Sequence, residues 1–482
     1  MQTKFVLNLA ILLFLNLLVK PFWIFGIDRN IQNLAGADAY GIYFALFNFT
    51  LIFSILLDLG LTNYNTRNIA QNNHLVAKYF SKLVVLKFLL GVFYLIIIGL
   101  LFFVFNYPKK HINMFLALAL SQFLLSFVLY LRSNFAGLQM FKTDSFVSII
   151  DRLLMIIICG YWIFTDYFSG AFPIEYFAYA QAFSYFATAV IAFFILIFRT
   201  RVFKFDFSLS FFSVSLKKSF PFALLIMLMA LYNRTDSIMI ERLLPIDGAT
   251  QSGIYAQSFR LLDALTNVAY LFSVILIPLF ANMIKRNESI VKLFQLSIIL
   301  IGIPSVFLFI NSFFYNEALM SLLYEHHVDQ SSVVIVYHMF SFVCMALSYI
   351  TGSLLTAYGN MKWLNNIAII GTLINVILNF IVIPEYKAVG ASLTSAITQF
   401  AVFLLQFIFV MKFFRLKTNF LLLAKLFVLT GLIFLTIYFL HSYSSEIILN
   451  LILSAIFMVI SLFLVRLVTV SELVALLKNA KR

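Results

Sequence analysis

Charge is what this chain lacks most. Only 11% of its 482 residues are Asp, Glu, Lys or Arg, while 63% are hydrophobic and 59 are phenylalanine. A soluble domain carries about 25% charged residues, so a water-soluble globular fold is excluded. Cysteine is almost missing as well. Cys159 and Cys344 both fall in apolar runs and form no CxxC pair, which leaves neither a disulfide framework nor a metal knuckle. P-loop, dinucleotide fingerprint and nucleophile elbow are all absent from the sequence, and no outer connection is long enough for a catalytic domain. The His326-His327 pair has no metal-ligand spacing, and His74, His111, His338 and His441 stand alone. These absences predict a protein that is not an enzyme and that binds no cofactor or metal.

What is present is a series of charge-poor runs of membrane-spanning length, about 20 residues each. They predict an all-α polytopic membrane protein with fourteen spans: 5–33, 41–66, 79–105, 112–135, 144–165, 174–198, 218–240, 253–282, 291–313, 332–357, 363–383, 388–411, 418–440 and 446–469. Pro108, Pro173, Pro245 and Pro384 fall between runs; Pro21, Pro221, Pro278 and Pro304 fall inside or at the start of them and predict kinks.

Lysine and arginine alternate from side to side. With the N-terminus cytoplasmic, the inner connections hold Arg67, Lys78, Lys82, Lys142, Arg199, Arg201, Lys204, Lys217, Lys285, Arg286, Lys362, Lys412, Arg415 and Lys417. The outer ones hold Lys109, Lys110, Arg242 and Lys387. This asymmetry predicts both termini inside. It also accounts for the net charge of +14 through contact with anionic lipid headgroups, so no nucleic-acid partner is implied.

Two stretches near matching span ends repeat. "AYGIYFA" at 39–45 is echoed by "QSGIYAQ" at 251–257, and "GLQMFK" at 137–142 by "AYGNMK" at 357–362. A weaker pair sets "IEYFAYAQAF" from Ile174 against "KAVGASLTSA" from Lys387. Order and offset are kept, which predicts two parallel six-helix lobes, 1–205 and 206–412, followed by two further spans and a cytoplasmic tail at 413–482. The repeat also bears on "LAGADAYGIY" at 34–43, whose small triplets resemble a signal-peptidase site. A leader has no reason to recur in a second lobe, so Gly36 to Tyr43 is read as the tight outer turn joining spans one and two.

Polar residues inside the spans are the best functional clue, because a charge in hydrocarbon costs a few kcal/mol or more. They are expected to cluster in spans one, two, seven and eight: Lys20, Asp28 and Arg29; Asn48, Ser54, Asp58, Thr62 and Asn65; Asn233, Arg234 and Asp236; Gln257, Arg260, Asp263 and Asn267. The spacing puts those of spans two and eight on one helical stripe each, suited to walling a hydrated cavity between lobes. Arg260 and Asp263 either neutralise each other or face a ligand. Lys20 is the sharpest candidate, deep and beside Pro21, and either binds or snorkels. Lys20, Arg29, Arg234 and Arg260 as substrate-binding cations suit an anionic cargo. Asp28, Asp58, Asp236, Asp263, Gln257 and Asn267 would complete the cavity or couple an ion.

The segments "GADAYGIYFAL" at 36–46, "LLDLGL" at 56–61, "TDSIMI" at 235–240, "SGIYAQSFRL" at 252–261 and "VGASLTSAI" at 389–397 resemble the polysaccharide (O-antigen/capsule, Wzx-type) flippases of the multidrug/oligosaccharidyl-lipid/polysaccharide (MOP) exporter superfamily. The resemblance implies the MATE/MOP-like two-lobe fold. It also implies transfer of an undecaprenyl-diphosphate-linked oligosaccharide across a bacterial cytoplasmic (inner) membrane by alternating access, for O-antigen, capsule or exopolysaccharide synthesis. H+ or Na+ as coupling ion and a glycan polymerase complex as partner come with that expectation. Related lipid II flippases carry basic residues and an acidic one in the first helix, which Asp28-Arg29 matches in reversed order. A cation-coupled drug antiporter is the nearest rival, and a membrane glycan polymerase or ligase the second. The basic residues of spans one, seven and eight argue against the first, and the short outer connections against the other.

Overall fold

The computed structural model describes residues 19, 21–62, 65–66, 69, 76–165, 167–200, 207–359, 361–416, 419–444 and 446–467. Among these, every regular element is helical. A π-helix, Phe22–Asp28, leads into α1, Arg29–Phe53, and a 3₁₀ turn, Ser54–Leu57. Then come α2, Val76–Val104; α3, Ile112–Gly137; α4, Phe141–Phe164; α5, Ile174–Thr200; α6, Leu209–Leu243; and α7, Gly248–Lys285. The chain continues through α8, Val291–Ser297; a second π segment, Ile298–Gly302; α9, Ile303–Phe314; α10, Asn316–Leu323; α11, Val328–Tyr358; α12, Met361–Phe413; α13, Phe420–Tyr443; and α14, Ile447–Leu464.

Twelve continuous helical stretches among the described residues are long and apolar enough to cross a membrane. Their outer surfaces are apolar too: Phe198, Phe420 and Phe427 are 78%, 79% and 82% exposed. Aromatic surfaces of that extent are costly in water and ordinary in lipid. The protein is a multi-pass membrane protein.

The difference from fourteen lies in two connections that are single-residue breaks instead of loops. Phe22–Leu57 contains the end of span one and most of span two, and Met361–Phe413 contains spans eleven and twelve. The first break is Gly36, with φ 76 and ψ 163, a backbone conformation that is nearly exclusive to glycine. The Tyr40 hydroxyl donates to Asp28 at 2.9 Å, although the two would stand about 18 Å apart along a straight helix. The chain therefore folds back at Gly36. The expected turn over Gly36 to Tyr43 is thus corrected: one residue makes the break, and Tyr40 to Tyr43 are already helical. The second break is Lys387, with φ 53 and ψ −130, and its ammonium donates to Asp247 at 2.6 Å.

Two of the prolines stand beside π-helical turns. Pro21 opens the seven-residue π-helix, and Pro304 stands in the first turn of α9, directly after the second π segment. At Pro304 the wide turn that precedes it accommodates the ring and the missing N–H that a proline imposes.

Two compact units form, residues 1–257 with 376–388 and residues 258–375 with 389–482. In the first, α3 packs along α5 and α1 along α6. Ala189 and Ala192 on α5 belong to the same buried cluster as Phe127, Tyr130 and Leu131 on α3; small residues let helices approach closely without a hydrophobic driving force. In the second unit, α9 packs on α11 and α13. Ile303, Phe307 and Ile310 join Leu429, Ile433 and Ile437 in one cluster, each set spaced three or four apart along one helix face.

Candidate functional site

The polar residues of the first unit are held in three places. In the returning span-one segment, Asp28 is buried and accepts from Gln32 at 3.1 Å as well as from Tyr40. Arg29 follows it, with a buried Nε that has no hydrogen-bond partner. On α6, Asp236 is buried and accepts from the Tyr255 hydroxyl at 2.7 Å and from Asn379 at 2.6 Å. One residue further, Ser237 accepts from Asn48 of α1 at 2.9 Å.

The third place is where span two breaks. Expected to run to 66, it leaves the α-helix after Phe53 and turns at residues 58–60, with Leu59 at φ 45 and Gly60 at φ 79. Asp58 accepts from the Thr62 backbone and hydroxyl and pairs with Lys87 of α2. The Lys87 ammonium also donates to the Leu57 carbonyl and the Ser126 hydroxyl, both at 3.0 Å. Irregular backbone at membrane depth survives only where its polar groups are satisfied inside the protein, and Lys87 does this for Leu57.

The remaining expected residues lie elsewhere. Arg260, Asp263 and Asn267 fall in the second unit, where Asn267 donates to the Asp263 carbonyl of its own helix at 2.7 Å. Gln257 is buried at the end of the first unit's chain. Lys20 lies outside the described residues.

Polar groups are not confined to spans one, two, seven and eight. Lys87 lies in span three, and Asp151 and Arg152 lie in span five. Each interrupts an apolar run, in "LVVLKFLL" and "SIIDRLLM", the same signal that singled out Lys20.

The "GIY" echo also acquires a meaning. A Cβ on Gly41 would strike the Ala249 carbonyl oxygen and stand 2.6 Å from the Gly253 nitrogen. One on Gly253 would strike the Ala37 carbonyl oxygen and stand 2.7 Å from that carbonyl carbon. The two segments are a reciprocal small-xxx-small crossing, Ala37 with Gly41 and Ala249 with Gly253. The match therefore extends upstream of the quoted echo, to Gly36-Ala37 against Gly248-Ala249. The paired tyrosines that follow both bind polar groups, Tyr43 donating to Gln181 at 3.1 Å and Tyr255 to Asp236.

A family profile described as "Polysaccharide biosynthesis protein" matches residues 30–284, more than half of the chain, and takes in α1 through α7 with both halves of this crossing. The chain belongs to that family. The capsular polysaccharide biosynthesis protein CapF of Staphylococcus aureus is 29% identical over 116 residues, which are 24% of this chain and 28% of that relative's length. Among solved structures, the lipid II flippase MurJ in an inward closed conformation superposes with a TM-score of 0.71 at 14% identity, covering 95% of this chain and 98% of MurJ. A Vibrio cholerae MATE transporter gives 0.57 at 13%, covering 85% and 98%. At these identities the likeness is one of fold: this family member has the all-helical architecture of MOP-superfamily transporters.

Proposed function

We propose that the protein is a flippase that moves undecaprenyl-diphosphate-linked oligosaccharide units from the inner to the outer leaflet of a bacterial cytoplasmic membrane. Its two halves would rock in alternating access, with both termini cytoplasmic, and the product would feed O-antigen, capsule or exopolysaccharide synthesis. The observation that carries this reading is Arg29, a guanidinium within a membrane-spanning helix whose buried Nε no protein group takes up. A buried cationic nitrogen is expensive unless an anion meets it, and a diphosphate offers the bidentate match that arginine favours. Arg234, Arg260 and Lys20 would share the load on the diphosphate and glycan. Asp28, hydrogen-bonded beside Arg29, would set the local charge so that the empty site tolerates its cations. Asp236, with Asp58, Asp263, Gln257 and Asn267 as further cavity groups, is the leading position for a coupling H+ or Na+.

The reading is tested in cells that depend on this protein for surface glycan. Arg29→Ala, Arg234→Ala, Arg260→Ala and Lys20→Ala should each abolish display while the protein stays folded in the membrane. Normal display from all four would remove the cationic site. Export of cationic dyes, with no effect on glycan, would favour the drug-antiporter reading instead.

A further inference from the structure

Glu241 and Arg242 lie in the last turn of α6, beyond Arg234 on the same helix. The Arg242 guanidinium carbon stands 3.4 Å from the centroid of the Tyr107 ring, in the connection between α2 and α3. That ring is buried, with Phe102 stacked on it at 5.4 Å and Phe49 set edgewise at 5.6 Å, so the cation rests on a fixed platform. A guanidinium laid flat on an aromatic face keeps its N–H groups in its own plane, directed at whatever lies beside it.

What lies beside it satisfies little. Glu241 Oε2 approaches Nε at 3.0 Å, but the two form no aligned hydrogen bond, and Nη2 is buried with no hydrogen-bond partner. Arg132 shows the alternative. There Asp144 takes the guanidinium in two-pronged fashion at 2.7 and 3.3 Å, a clasp that fills the fork. In Glu241 and Arg242 a carboxylate and a guanidinium stand side by side with hydrogen-bonding capacity unused, a costly condition for buried polar atoms.

From Met227 to Leu244 no residue of α6 is exposed, so this stretch has no lipid-facing stripe. The Arg242 and Glu241 side chains, 26% and 16% exposed, therefore open onto protein-walled space and not onto hydrocarbon. By helix geometry Glu241 points within about 20° of the direction of Arg234 and lies about 10 Å further along the axis. That is the reach of the first sugars beyond a diphosphate held at Arg234. The pair is also neutral as a unit, and its carboxylate would repel a further phosphate. A polyhydroxyl ligand fits instead, because adjacent hydroxyls can donate to the carboxylate and accept from the guanidinium together.

We infer that Glu241 and Arg242, set on Tyr107, form a glycan subsite that takes neighbouring hydroxyls of the cargo's oligosaccharide. The inference rests on the flippase reading above, in which Arg234 shares the diphosphate, and it adds a contact that recognises sugar.

The test is a binding competition on the purified full-length protein, by native mass spectrometry, among undecaprenol, undecaprenyl diphosphate and the undecaprenyl-diphosphate oligosaccharide extracted from the cells that make this protein. Wild type should prefer the diphosphate to undecaprenol, and the glycosylated diphosphate to the bare one. Glu241→Ala and Arg242→Ala should each lose at least about tenfold of the second preference, as loss of a charge-assisted hydrogen bond would give, and keep the first. A merely structural role would not separate the two. Glu241→Gln, which keeps an acceptor without the charge, should fall between, and it decides the matter should the alanine variants not fold. If the variants prefer the glycosylated lipid as wild type does, or if wild type binds both diphosphates equally, the subsite is refuted and the flippase reading stands. If wild type does not prefer diphosphate to undecaprenol, both fall together.

Discussion

Gly41 and Gly253 face each other across the crossing of α1 and α7, each seated against the backbone one turn before the other. The contact uses no side chain at either glycine. Sequence, in this case, specifies a distance: two helices approach as closely as backbone allows because the residues at the crossing are Ala37, Gly41, Ala249 and Gly253.

The cost of enlarging Gly41 or Gly253 should therefore rise with size. Alanine already collides with a carbonyl oxygen, and leucine should cost more than about 1–3 kcal/mol, the usual penalty for overpacking. Gly36 should behave differently. No atom lies within 4 Å of its missing Cβ, and the strain is in the backbone alone. Alanine and leucine there should both cost about 1–3 kcal/mol, with little difference between them. Thermal unfolding of the purified variants reads both series, and a size dependence at Gly36 equal to that at Gly41 would contradict this account.

Lys87 and Asp58 should be strongly coupled. Lys87→Met leaves the partly buried Asp58 carboxylate without its cation and the Leu57 carbonyl with only the Ser126 hydroxyl at 3.4 Å, and should destabilise by about 3 kcal/mol. Asp58→Asn strands the ammonium in turn. The double variant should be clearly more stable than the sum of the two losses predicts, because neither charge is left uncompensated. Additive losses would show that the pair is not a unit.

Asp236 is positioned by groups distant in sequence. Asn379→Leu and Tyr255→Phe each remove one donor to a buried carboxylate and should each cost about 1–3 kcal/mol. Asp236→Asn should leave the cargo bound but abolish the response of transport to an imposed H+ or Na+ gradient. Unchanged gradient dependence would remove Asp236 from coupling.

Lys387 offers a test of backbone strain at the second break. Lys387→Gly relieves the positive φ and loses a half-exposed ion pair worth about 0–1 kcal/mol, so it should be neutral or mildly stabilising. Lys387→Val keeps the strain with a β-branched side chain and should destabilise. The order of the two melting temperatures decides.

Much of this architecture was legible in the residues, because a membrane imposes long apolar runs. The breaks were not. Gly36 and Lys387 each turn the chain in a single residue, and a sliding count of apolar residues cannot tell a one-residue turn from a short loop. The echo "GIY" was visible, but its purpose was not: only the crossing shows that glycine serves contact and tyrosine serves a polar partner. Asp58 stood out in the sequence as a charge on a polar stripe and Lys87 as a charge inside an apolar run, but nothing in either signal joined the two. Asp236 likewise showed no sign of Asn379, which lies 143 residues away. Periodicity identifies which residues turn inward, and tertiary packing alone decides which of them meet.

The central claim is that membrane-embedded cations carry a diphosphate-linked glycan across the bilayer. Its most direct test reconstitutes the protein in liposomes with a fluorescent undecaprenyl-diphosphate oligosaccharide in both leaflets, and follows how much label an impermeant quencher reaches. Wild type should make the inner-leaflet pool accessible, and Arg29→Ala with Arg234→Ala should return accessibility to that of protein-free liposomes. Equal rates for wild type and the double variant, or no acceleration by wild type, would contradict the account.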